Sequence, residues 1–342
     1  MATEQRLIRV AVDAMGGDHA PAVPVEGAVL AAREYGVGIL LVGPPDGVER
    51  QLRKHSTEGL HIEVVPASEV IGMDESPVKA LRRKPDASVR VAAGLVSEGR
   101  AQGFVSAGNT GAAMAVAKME WGAIPGVDRP ALASVFPTQR GIPSVLVDVG
   151  ANIDVKPQQL VQFAIMGEVY YRVMFGVKRP RVGLLSIGEE ATKGNEVIRE
   201  AHRRLREAPL NFDFVGNVEG HDVFSGEVHV IVCDGLIGNV ALKISEGVAE
   251  VIVALLKEAL SSTLTAQVGY VLSREAFDVF KKRLDYSEYG GAPLLGIRGV
   301  CVICHGRSNP NAIMNAIRVA AGFSENRINE KIERELSLVS AN

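Results

Sequence analysis

From residue 7 to residue 233 the chain alternates short runs of consecutive apolar residues with helix-length amphipathic segments, and this alternation restricts the possible folds more than any other feature. The strand-like runs fall at Leu7–Val12, Gly38–Val42, Ile62–Val65, Gly103–Ser106, Leu132–Phe136, Ser144–Val147, Arg181–Ser186, Asp213–Val215 and Val228–Cys233. Helical patterns lie at Val23–Tyr35, Ser88–Glu98, Thr110–Trp121, Gln158–Phe175 and Asn195–Arg206. A strand with one wet face alternates apolar and polar side chains. These runs do not alternate, so both faces are covered by helices, as in a mainly parallel sheet. The predicted class is α/β, a three-layer α/β/α arrangement. A length of 342 residues admits two domains or one large open-sheet domain, and no repeat, low-complexity tract or Pro/Ser-rich linker interrupts it.

From Ser245 the pattern turns helical. Val248, Ile252, Leu255, Leu256, Ala259 and Leu260 form a broad apolar face, Ser261 and Ser262 weaken it, and a second helix is predicted over Ser273–Leu284. The connection Leu264–Leu272 is apolar where a solvent loop should be polar, which makes 245–286 a projecting helical hairpin with Leu264, Val268, Val271 and Leu272 at its tip. A strand at Gly299–Cys304 and helices at Asn309–Gly322 and Glu325–Leu336 close the chain. The longest apolar stretch, Gly247–Leu256, is broken by Glu250 and is too short to span a bilayer. No secretory signal is read in Met1–Arg9, and a cytoplasmic address is expected. Lysine and arginine number 37 against 40 acidic residues, so no global positive field draws the chain to nucleic acid, and an acidic partner must meet a local patch.

Glycine is the unusual count, 36 residues, and many glycines follow strands together with a polar residue. The loops are Asp13-Ala-Met-Gly16-Gly17-Asp18, Ser106-Ala-Gly108-Asn109-Thr110-Gly111, Asp148-Val-Gly150-Ala-Asn152, Ile187-Gly188-Glu189, Val215-Gly216-Asn217, Cys233-Asp234-Gly235 and His305-Gly306. Ligands bind at the carboxyl ends of parallel strands, so a single polar rim is expected; each loop taken alone is an ordinary capped turn. The 106–111 loop opens a helix and offers N–H groups at the positive end of its dipole, a site suited to phosphate. Lys193, after Glu189 and Glu190, is either a point charge for phosphate or part of a solvated charge run. Asp234, Asn239 and Lys243 line the start of a helix, where Asp234 is a cap or a member of the rim. His305 leaves a strand beside Gly306 and is either functional or structural.

Metal and covalent chemistry find no foothold. Cys301-Val-Ile-Cys304-His305 has the letters of a haem or zinc motif, but residues i and i+3 of a strand point to opposite faces. Cys233 lies in an apolar run and reads as a buried, inert thiol. Walker, GxGxxG, GxSxG, HExxH and EF-hand patterns are absent. No cofactor and no metal are expected.

The loops just quoted, with Gly188-Glu-Glu-x-x-Lys193-Gly, Asp234-Gly-x-x-Gly-Asn239-Val-x-Leu-Lys243, Tyr289-Gly-Gly-Ala292 and the longer run Asp13 to Pro21, resemble the acyl-ACP:phosphate acyltransferase family of bacterial phospholipid synthesis over about Leu7 to Leu336. The resemblance implies a fold like phosphotransacetylase and isocitrate dehydrogenase, with 1–342 as one domain. It implies a membrane-associated homodimer that converts acyl-ACP and orthophosphate to acyl phosphate, which passes to a glycerol-3-phosphate acyltransferase. By chemistry and position on the rim, Asp13, Gly16, Gly17, Asp18, Ser106, Gly108, Asn109, Thr110, Asn152, Glu189 and Lys243 are candidates for binding substrate. Lys193, Asp234, Asn239 and His305 are candidates for catalysis, with Asn239 or backbone N–H groups on the oxyanion. A nicotinamide-dependent oxidoreductase of the same fold and a non-catalytic ACP-binding scaffold are the rival classes.

Overall fold

Apolar strand runs of three to six residues pair into one eleven-stranded sheet in the computed structural model, which describes residues 7–340. Its first part contains β1 (Arg9–Asp13), α1 (Ala22–Tyr35), β2 (Gly38–Gly43), α2 (Pro45–Leu52), β3 (Ile62–Pro66), α3 (Pro77–Arg83), α4 (Ser88–Ser97), β4 (Gly103–Ser106) and α5 (Thr110–Trp121). The middle contains β5 (Ala131–Phe136), β6 (Ser144–Val147), α6 (Pro157–Phe175), β7 (Arg181–Leu185), α7 (Glu196–Glu207), β8 (Asp213–Val218) and β9 (Val230–Val232). The chain ends with α8 (Gly235–Ser261), α9 (Leu264–Leu272), α10 (Arg274–Leu284), β10 (Ala292–Leu295), β11 (Cys301–Ile303), α11 (Pro310–Glu325) and α12 (Ile328–Ser340). Residues 1–6, which carry most of the segment read for a signal, lie outside the described residues.

The strand order is β3-β2-β1-β4-β11-β10-β5-β6-β9-β7-β8. Alternation along each strand sends side chains into two cores: Val10 and Val12 of β1 join α1, α6, α7, α11 and α12 on one face, while Ala11 joins α4 and α5 on the other. This is the expected three-layer α/β/α class. Each apolar face of a strand is thereby removed from water, worth about 25 cal/mol per Å² of apolar surface.

The single rim is not what forms. β10 is antiparallel to both β11 and β5, and β5 is antiparallel to β6. Chain direction therefore reverses in mid-sheet, and β6, β7, β8 and β9 run opposite to β1 through β4 and β11. The loops after β1, β4 and β11 leave one edge of the sheet; those after β6, β7 and β9 leave the other. Val215-Gly216-Asn217 is no loop at all but part of β8, whose register against β7 shifts at Val182/Gly183.

The hairpin also differs from expectation. The first helix begins at Gly235, ten residues before Ser245, because Asp234 caps it by accepting from the Ile237 N–H at 2.9 Å. Its 27 residues reach about 40 Å. The apolar connection is itself a helix, α9, started by the Thr263 side chain accepting from Ala266 N–H. Leu264, Val268, Val271 and Leu272 stand 80%, 59%, 70% and 82% exposed. Among the described residues, no helix is long and apolar enough to cross a membrane.

Candidate active site

Three loops converge where β1, β4 and β11 end. Asp13 is buried at the end of β1, and Ser106 Oγ at the end of β4 donates to its Oδ2 at 2.8 Å. The N–H of Gly108 donates to the same Oγ at 3.1 Å, and the N–H of Asp18 donates to the Gly306 carbonyl at 2.8 Å. Gly16 is required by this closeness, since a Cβ there would lie 2.7 Å from the Gly108 nitrogen. Burial pushes the Asp13 carboxyl up, opposed by hydrogen bonds from Ser88, Ser106 and the N–H groups of Met15 and Gly16. Asp13 thus braces the two glycine loops.

Above this brace α5 begins. Asn109 accepts from the Ala112 N–H at 3.0 Å, while its Nδ2 donates to the carbonyls of Gly72, Met73 and Glu75 at 3.3, 3.1 and 3.1 Å. The oxygen of this side chain is thus a cap, and its nitrogen ties down the 72–75 segment. The N–H groups of Asn109, Thr110 and Gly111 have no partner among the described residues and sit at the positive helix end.

α8 brings charge to this edge from across the sheet. Lys243 Nζ donates to His305 Nε2 at 2.8 Å and to Glu246 Oε2 at 2.9 Å. The Arg307 N–H meets the other ring nitrogen, Nδ1, at 3.3 Å, so a donor faces each nitrogen and the doubly protonated ring is disfavoured. Burial and then the Lys243 charge lower the His305 pKa, since a second cation would face the first. Glu246, 4.0 Å from His305 Nε2, was missed in the sequence, although the i,i+3 spacing from Lys243 on a helix signals it.

The second group of candidates lies at the other edge. Asp148 at the end of β6 is fully buried and accepts from the N–H groups of Leu132, Gly150, Ala151 and Asn152 and from Asn152 Nδ2. Asn152 Nδ2 also donates to the Pro130 carbonyl at 2.8 Å, so this amide shapes the loop. Asn239 is exposed on α8 beside Gly150. Asp234 borders a cleft of about 170 Å³ with Asp154, Asn195 and Ile198. Glu189 and Lys193 are exposed in the loop after β7, which the Asn217 amide holds through the Glu190 carbonyl. They are not brought to the Asp13 cluster. α8 spans the gap: its N-terminus stands at Asp148, and Lys243, nine residues after the Asp234 cap, stands at His305.

The cysteines are as read. Cys301 joins one core and Cys304 the opposite one, and burial raises both thiols, as it does Cys233.

A family profile described as fatty acid synthesis protein matches residues 8–331. A phosphate acyltransferase of Geobacter sp. (strain M21) is 54% identical over 330 residues, covering 96% of this chain and 93% of its own length. One from Koribacter versatilis (strain Ellin345) is 58% identical over 339 residues, covering 97% and 94%. A phosphotransacetylase from Streptococcus pyogenes superposes with a TM-score of 0.61 at 16% identity over 94% of this chain and 95% of that one, a likeness of fold. A branched-chain phosphotransacylase from Enterococcus faecalis V583 gives 0.55 at 14% identity over 93% and 99%.

Proposed function

Since the chain belongs to the fatty acid synthesis protein family, with the phosphate acyltransferases it matches over nearly their whole length, we propose that it transfers a fatty acyl group from acyl-ACP to orthophosphate. The observation that carries this reading is the row of three unpartnered N–H groups at the start of α5, on the same edge as the Lys243 ammonium and the neutral His305. Backbone donors and a point charge are what a dianion needs.

The chemistry closes without a covalent enzyme intermediate. An oxygen of hydrogen phosphate attacks the thioester carbonyl, a C–O bond forms, the C–S bond breaks, and the phosphate proton passes to the departing thiolate. The products are acyl phosphate and free ACP thiol. His305, neutral at physiological pH, relays that proton, while Lys243 holds phosphate and keeps the ring unprotonated. Asp13, Gly16, Gly17, Asp18, Ser106, Gly108 and Thr110 shape the cradle. Lys193, Glu189, Asp234 and Asn239 stand at the opposite edge and Asn152 shapes its loop there, so the transfer is assigned to the α5 edge, with the backbone N–H groups of its loops on the oxyanion.

The product would feed phospholipid synthesis through a membrane glycerol-3-phosphate acyltransferase. The apolar exposed residues of α9 support contact with the bilayer surface, and those of α8, including Val248, Val251 and Leu255, support a homodimer. Steady-state kinetics test the assignment of phosphate: Lys243→Met should raise its KM by about tenfold or more, from loss of a charge-assisted contact. A wild-type phosphate KM in that variant would remove Lys243 from the site.

A further inference from the structure

α3 is short, and its two faces have different tasks. Ala80 and Leu81 are buried, and Pro77 lies against Gly111 at the start of α5. The outward face carries Val78, Lys79, Arg82 and Arg83, all exposed, and the three cations have no ion pair among the described residues. Neighbouring carboxylates are largely occupied: Glu75 pairs with Lys84, Asp86 accepts from Ser68, and Glu69 accepts from the Asp86 N–H, leaving Asp74. Arg82 and Arg83 suit the negative end of the helix dipole, but Lys79 in the first turn opposes it. Helix stability therefore accounts for two of the cations and not the third.

Position adds to charge. Asn109 ties the 72–75 segment to the cradle, and Met73, 51% exposed, reaches within 3.1 Å of where a Gly306 Cβ would stand. A basic face with an apolar margin of Met73 and Val78 thus borders the mouth of the site. The other basic run is less suited, because Lys281 lies over the Tyr270 ring and Lys282 pairs with Glu288.

We propose that the outward face of α3, with Met73 and Val78 at its margin, is the surface on which an acidic carrier protein docks to present its acyl thioester to the cradle. The inference rests on the acyl-transfer reading above. It is tested by fluorescence anisotropy of labelled acyl carrier protein over a salt series, in parallel with acyl hydroxamate formation from acyl-ACP and phosphate. The triple variant Lys79→Glu, Arg82→Glu, Arg83→Glu should raise the carrier Kd and KM about tenfold or more and flatten their salt dependence, leaving the phosphate KM unchanged. Arg82→Gln with Arg83→Gln, a milder pair, should move the same constants in the same direction, and Lys281→Glu with Arg283→Glu should bind as wild type. Unchanged carrier binding in the α3 variants, or loss confined to the α10 pair, overturns the proposal. Should the wild type make no acyl phosphate while binding is lost only with the α3 charges, the acyl-transfer reading fails and the docking surface stands.

Discussion

Gly238 is where α8 comes closest to the sheet, and Gly238→Ala tests whether that helix couples the two edges. The added Cβ would lie 1.8 Å from the Asp148 carbonyl oxygen and 3.0 Å from Cys233 Sγ. An ordinary C···O contact is about 3.3 Å or more, so the helix start has to move by roughly 1.5 Å. The obstacle is backbone and cannot rotate away. Overpacking of this kind costs about 1–3 kcal/mol, and here the upper end applies. A movement of that size also parts Lys243 from His305, now 2.8 Å apart, and a misplacement of about 1 Å can cost about a hundredfold in rate. The internal control is Gly247→Ala on the same helix, where nothing lies within 4 Å and the gain in helix propensity is about 0.5–1 kcal/mol. Denaturant unfolding and kcat measured on both variants give the comparison. Equal stability and rate in Gly238→Ala and wild type would show that α8 is not seated on β6 as described, and the link between the two edges would fall with it.

His305 is held below its ordinary pKa, first by burial and then by Lys243, so the acid limb of the rate should lie below the usual histidine range, and Lys243→Met should move it to higher pH. A pH profile unaltered in both Lys243→Met and His305→Gln would remove the pair from proton transfer. Asn109→Ala removes a helix cap and three carbonyl contacts, and should lower stability by about 1–2 kcal/mol in denaturant while raising the KM for acyl-ACP through the loosened 72–75 segment. Val268→Glu with Leu272→Glu should abolish liposome co-sedimentation with the chain still eluting at its wild-type size; pelleting as before would show that α9 does not meet the bilayer. Treatment with EDTA should leave the rate unchanged, and loss restored by a divalent ion would overturn the metal-free mechanism.

Local pattern was enough for elements whose signal is local. β4, β6 and α5 have the bounds read from the sequence, because an apolar run ends at a polar residue and Asn109 marks a helix start. α2 and α3 were missed: both are short and start with proline, at eight and seven residues. β10 was hidden behind Gly290-Gly291 and is only four residues long. The single rim failed for a deeper reason. Whether neighbouring strands run parallel or antiparallel depends on pairings between distant segments, such as Leu295 with Ala131, and no local pattern carries that information. Asn109 illustrates the same limit at the site. Its residue type suits both phosphate contact and capping, and its tie to residues 72–75 depends on a distant segment that no local pattern reveals.

The central claim is that phosphate bound at the Asp13–Ser106–α5 edge attacks an acyl thioester directly. Hydroxylamine trapping with purified protein, acyl-ACP and orthophosphate measures this. The account predicts acyl hydroxamate formed in step with free ACP thiol, saturable in phosphate, with no acylated enzyme isolated when phosphate is left out. Thiol release without trappable acyl phosphate, a burst of acyl-enzyme, or turnover seen only as a nicotinamide absorbance change would contradict it.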